Sequence, residues 1–219
     1  WRLGPAADDA RVERRYLPGT LVLETTFHTR EGTARVTDCM PIRGTAPDVV
    51  RVVEGVSGHV EMEMDLVVRF DYGSTVPWVR RLDGTLSLVA GPDALELAAG
   101  VPVHGEDLAT IARFTVGAGD RVPFVLTWHP SSSPAPERAD ASRAVPDTVA
   151  WWQAWSQQCV GGGRWADEVR DSLVTLKALT YAPTGGIVAA PTTSLPEMIG
   201  GVRNWDYRYC WLRDSYFVV

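Results

Sequence analysis

Between Tyr16 and Trp128 the chain is a succession of short β-branched and apolar runs, each closed by Gly, Pro or Asp, and that rhythm leaves few folds open. Val60-Glu-Met-Glu-Met-Asp-Leu66 alternates strictly and puts Val60, Met62, Met64 and Leu66 on one face of an extended segment. Leu21 to His28, Ala34 to Asp38 and Val49 to Val56 read as further strands, with turns at Glu31-Gly32 and Ser57-Gly58. Asp83-Gly84 is a two-residue hairpin signal between Trp78–Arg81 and Thr85–Val89. Gly91-Pro92-Asp93 turns the chain before Ala94–Leu97. Thr110–Val116 and Val122–Trp128 follow, joined through Gly117 to Asp120. Phe70-Asp71-Tyr72-Gly73 reads as a turn that ends a strand. Many short strands at regular spacing predict an antiparallel β-sandwich.

The flanks are different. Residues 1–15 are polar and charged and show no period, so they read as a lead-in. Residues 130–142 are mostly Pro, Ser and Ala, without large apolar side chains, which is linker composition. Pro146-Asp147 then looks like a helix start, and Trp151, Trp152 and Trp155 follow at helical spacing. Gly161 to Gly163 ends that helix. A second helix is predicted from the stripe Trp165, Val169, Leu173, Leu176 and Leu179, with acids early, Lys177 late, and Pro183 as its stop. The expected organisation is therefore multidomain, β then α: a β-sandwich over 1–129, a linker over 130–146, and helices over 147–219.

The richest chemistry lies at the end. Trp205, Tyr207, Tyr209 and Trp211 alternate with Asp206, Arg208 and Cys210, a period of two that predicts extended chain. Arg213 and Asp214 follow as neighbours, a rigid fork of donors beside an acceptor-only carboxylate. Such a pair can hold adjacent hydroxyls of one sugar while aromatic faces cover its C–H side. Core packing of the four rings is the plain alternative, as is a helix-capping role for Asp214. Fully buried charges are rare unless paired, and Asp206, Arg208, Arg213 and Asp214 lie among or directly after these rings.

The run NWDYRYCWLRDS, with PTTSLPE upstream, resembles glycoside hydrolase family 15, the glucoamylases and a trehalase branch. YLPGTLVLETTF, RFDYG and FVLTWHPS are similar to the β-rich N-terminal domain of its bacterial members, so the resemblance runs along nearly the whole chain. It implies that the helices are the first ones of an α/α-barrel that is truncated here. It also implies that Tyr207, Trp211, Arg213 and Asp214 bind the terminal glucose beside the scissile bond. The family inverts with two glutamates, and no residue of this chain matches them, so no catalytic residue is expected here. Glu197 reads as a residue that holds the loop, and Asp206 with Asp214 form a formal carboxylate pair whose separation the sequence does not fix. The implied substrate is trehalose or another glucose-containing oligosaccharide; the rival class is a non-catalytic carbohydrate-binding or scaffold module. No cofactor is expected, although phosphate or magnesium dependence would come with the trehalase branch.

The totals set outer limits. A net charge of -6 argues against nucleic acid, which calls for a basic face. No run reaches the roughly 18 apolar residues of a membrane span. His28, His59, His104 and His129 are scattered singly, and no metal site is expected. Cys39, Cys159 and Cys210 make no C-x-x-C pair and read as thiols of a reducing compartment, hence a cytoplasmic location. A homo-oligomer is left open. The start at Trp1 and the stop at Val219 inside an apolar run suggest one piece of a longer protein.

Overall fold

The structure is a computed structural model and describes residues 1–159, 163–192 and 197–212. It divides into two compact units. The first comprises Trp1–Pro18 and Val22–Trp151; the second comprises Gly19–Leu21 and the described residues from Trp152 onward.

The first unit is antiparallel β. Its strands are β1 (Arg2–Pro5), β2 (Arg11–Tyr16), β3 (Leu23–His28), β4 (Gly32–Cys39) and the long β5 (Asp48–Leu66). β6 (Trp78–Leu82), β7 (Thr85–Ala90), β8 (Asp93–Ala99), β9 (His104–Glu106), β10 (Ala109–Gly117) and β11 (Arg121–Pro130) complete it. The main order is β2-β3-β4-β5-β11-β8-β7-β6. The first half of β5 pairs with β4 and β11, and its second half pairs with β1 and β10. Side chains from both groups meet in one core: Val60, Met62, Met64 and Leu66 of β5 with Val36, Leu88, Leu97, Ala112 and Phe124. The alternation read from the sequence is therefore the alternation that is buried.

β5 carries the structural device that makes this work. Val53 faces the shared core, as do Val60, Met62 and Met64, yet the two sets differ in parity. A register shift reconciles them: Thr33 pairs with Ser57 and Ala34 with Gly55, so Gly55 and Val56 stand together opposite one residue of β4. That is a β-bulge, and one extra residue moves every later side chain to the other face. Ser57-Gly58 had read as the end of a strand; it is the kink that follows the bulge, with Gly58 at φ 61°. Gly55 has no room for a Cβ, which would lie 1.9 Å from the Gly117 carbonyl oxygen.

Before the bulge β5 is buried on both faces, which explains its continuous Val run. Val50 and Val52 join Val22, Cys39, Val125 and Ala144 in a second cluster, lined by Ala141, Val145 and Val149 of the first helix. On the opposite side Arg51 forms a two-pronged ion pair with Asp38, Nε to Oδ1 at 2.7 Å and Nη2 to Oδ2 at 3.0 Å, and lies over the Trp1 ring.

Three sequence expectations are corrected. The patternless lead-in holds β1 and β2. β2 pairs with β3 by backbone and is exposed at every position, so no buried face imprints a period on it. β9, also exposed throughout, was missed for the same reason. The helix expected to open at Pro146-Asp147 begins earlier, as α1 (Ala141–Ser156), with Pro146 inside it. Asp140 caps it: the Ser142 amide donates to Asp140 Oδ1 at 2.8 Å, and the Ser142 hydroxyl at 2.7 Å, holding that carboxyl below its ordinary pKa. A side-chain cap with two donors decided the boundary over the preference of Pro for a first turn. The hairpin at Asp83-Gly84 is as expected, both residues having positive φ (46° and 79°), as a type I′ turn requires.

Candidate functional site

In the second unit, Trp152 is buried and meets Trp155 edge to face with ring centroids 6.2 Å apart. The expected terminator Gly161–Gly163 is described only at Gly163. α2 (Ala166–Ala178) follows and ends before the expected stop at Pro183, which lies instead in the turn of a small hairpin of β12 (Thr180–Tyr181) and β13 (Gly186–Ile187). Asp167 and Glu168 lie in the first turn of α2 and Lys177 in its last, the order that suits the helix dipole. Its stripe is less covered than the periodicity suggests: Trp165 and Val169 are exposed, while Val174 is buried.

The segment from Gly201 to Leu212 is strung on backbone hydrogen bonds rather than built as a regular strand. The Ala190 amide donates to the Tyr207 carbonyl at 2.9 Å, and the Ala189 amide to the Tyr209 carbonyl at 3.1 Å. The extended reading thus holds locally, but the chain then turns. Tyr207 and Trp211 lie with ring centroids 5.7 Å apart and planes 31° off parallel. Four residues of extended chain would separate their Cα atoms by about 13 Å. Both rings are half-buried, and the neighbouring rings Trp205 and Tyr209 are exposed.

Charged residues between the rings are paired locally. Asp206 Oδ2 accepts from Arg208 Nη2 at 2.6 Å, while Oδ1 accepts from Arg208 Nε at 2.9 Å and from the Arg208 amide at 3.0 Å. The Arg208 side chain, then its amide, hold the Asp206 carboxyl down to about 2. Asp206 is thus held in its ionised, accepting form. Glu197 Oε1 accepts from the Trp205 indole Nε1 at 2.8 Å, and its own amide donates to the Arg203 carbonyl at 3.2 Å. That is the loop-holding role read for it from the sequence.

Of the four residues expected to touch sugar, the structure brings Tyr207 and Trp211 together. Arg213 and Asp214 lie outside the described residues. The Asp206–Arg208 turn was not foreseen. Its signal was visible in the sequence, since Asp readily accepts from the amide two residues on.

A β domain followed by helices and an aromatic, charge-laced segment is matched by known proteins. Residues 163–219 match the family described as glycosyl hydrolases family 15. The trehalases of Mycolicibacterium smegmatis and Mycobacterium tuberculosis are each 36% identical to this chain over 100% of its length. A trehalase of Thermoplasma acidophilum is 31% identical over 96% of it. The chain spans 37%, 36% and 37% of these three relatives, respectively. By that likeness the chain is similar to family 15 glycosyl hydrolases over residues 163–219 and to trehalases along its whole length.

Proposed function

We propose that this chain forms the N-terminal part of an inverting α-glucoside hydrolase whose substrate is trehalose. The observation that carries this reading is the 36% identity that two trehalases keep along 100% of the chain, β domain included. Glucoamylases and trehalases share the motif chemistry, and it is the extent of that likeness that favours trehalose over malto-oligosaccharides.

In this reading the chain supplies the binding half of the glucose pocket. Tyr207 and Trp211 offer two adjoining ring faces to the apolar side of the hexose. Arg213 and Asp214 grip its hydroxyls, the guanidinium donating and the carboxylate accepting. Hydrolysis further needs an acid to protonate the leaving oxygen and a base to activate water, set roughly 6.5–9.5 Å apart for inversion. Both belong to polypeptide beyond this chain, where the helices would continue into an α/α-barrel. Binding the hydroxyls remote from the reacting carbon helps hold the ring in a reactive geometry, so the pocket acts on rate as well as affinity.

The test is hydrolysis by the full-length protein of trehalose, maltose, isomaltose and starch, with the 219-residue chain alone assayed beside it. Trehalose is expected to be the preferred substrate and the isolated chain to release no glucose. Preference for starch or isomaltose would overturn the substrate assignment. Glucose release by the isolated chain would overturn the placement of acid and base.

A further inference from the structure

Tyr207 and Trp211 can form one wall only because the chain between them is bent, and contacts between Asp206 and Arg208 fix the backbone where that bend begins. The Asp206 carboxylate takes the Arg208 amide through Oδ1 and the Arg208 guanidinium through both oxygens. The bend is thereby fixed twice, once through backbone and once through a planar fork that fits a carboxylate in two places. On either side of Arg208 the carbonyls of Tyr207 and Tyr209 are held by the amides of Ala190 and Ala189. The turn is thus anchored to a neighbouring segment by two backbone hydrogen bonds.

We propose that Asp206 and Arg208 are positioning residues that preorganise the Tyr207–Trp211 wall for a hexose. This rests on the pocket assignment above and adds to it a cause for the ring geometry. The pair is a poor candidate for a stability element. Its side chains keep 30% and 47% of their surface exposed, and exposed ion pairs contribute little to global folding. Nor does Arg208 suit a direct contact to sugar through its fork, since Nε and Nη2 are already committed to Asp206. The depressed Asp206 carboxyl agrees with this, because the Arg208 fork and amide both favour its charged form.

The test uses the full-length protein carrying Arg208→Ala, Asp206→Ala and the conservative Asp206→Asn. Asparagine keeps an acceptor for the Arg208 amide and loses the ionic fork. kcat and KM for trehalose, melting temperature, and hydrogen exchange of peptides within 197–212 are measured together. Misplacing a binding wall by an ångström costs on the order of 100-fold in rate, so Arg208→Ala and Asp206→Ala are expected to lose about 10- to 100-fold in kcat/KM. Both should exchange faster in 197–212 with an unchanged melting temperature, and Asp206→Asn should recover part of both losses. Wild-type rate and wild-type protection in Arg208→Ala would overturn the proposal. So would a lowered melting temperature with no selective loss of protection in this segment. If the wild-type protein hydrolyses none of the glucosides, the function assigned above fails, and the exchange data alone decide whether the pair holds the turn.

Discussion

Deleting Val56 should unfold the β domain, although substituting Val56 should hardly matter. Val56 is 42% exposed and is the additional residue of the β5 bulge. Without it, β4 and β5 can stay paired along their full length only if one half of β5 turns over. Turning the second half outward would expose Val60, Met62, Met64 and Leu66, whose exposures are now 2%, 0%, 0% and 4%. At about 1.5–3 kcal/mol for each such side chain, the cost is about 6–12 kcal/mol. Turning the first half instead would drive Arg51 away from Asp38 and into the cluster of Val22, Cys39 and Val125 beneath α1. A buried guanidinium parted from its carboxylate costs about 3–5 kcal/mol, and Val53 would leave the core besides. Even the cheaper route removes a large share of the roughly 5–15 kcal/mol that holds a domain folded, and all of it for a domain at the lower end of that range. The assay is urea unfolding followed by far-ultraviolet circular dichroism, with Val56→Thr as the control, expected within about 1 kcal/mol of wild type. A deletion variant that unfolds cooperatively within about 2 kcal/mol of wild type would refute the parity argument.

Two further outcomes follow from the same core. Phe124 is fully buried, with its ring 5.8 Å from Phe114 and edge-on to Trp1 at 6.5 Å, so Phe124→Ala should cost about 3–5 kcal/mol by chemical denaturation; a loss under about 1 kcal/mol would mean the ring is not packed as described. Burial pushes the Cys39 thiol up to about 11 from 9.0, a bond to Thr148 opposing the shift. Its folded form keeps the proton longer than the unfolded chain does, so stability is intact below pH 9 and falls as pH rises toward 11, by about 2–3 kcal/mol relative to Cys39→Ala. Parallel stability curves for the two proteins across that range would contradict the assignment.

Much of the β domain was legible because burial on one face writes a period of two into the sequence. Val60 to Leu66 is the clearest case, and the Asp83-Gly84 hairpin is another. What escaped detection had no such face: β2 and β9 are exposed throughout, and β1 is a Leu-Gly-Pro segment recognised only by its pairing with β5. The bulge was hidden for a different reason. The first half of β5 is apolar on both faces, so a change of parity leaves no mark in its composition. At the candidate site the rings and charges were visible as a list of residues. Their arrangement was not, since a strand-like alternation conceals a turn made by the Asp206 carboxylate with the Arg208 amide and guanidinium. Which family the motif serves came from likeness to known proteins, not from period or spacing.

The most direct test is trehalose turnover by full-length protein bearing Asp214→Ala or Arg213→Ala, read beside the melting temperature. A charged hydrogen bond is worth about 1.5–3 kcal/mol, so each variant should lose about 10- to 100-fold in kcat/KM while melting where the wild type does. Wild-type turnover in either variant would contradict the claim that this end of the chain grips the sugar.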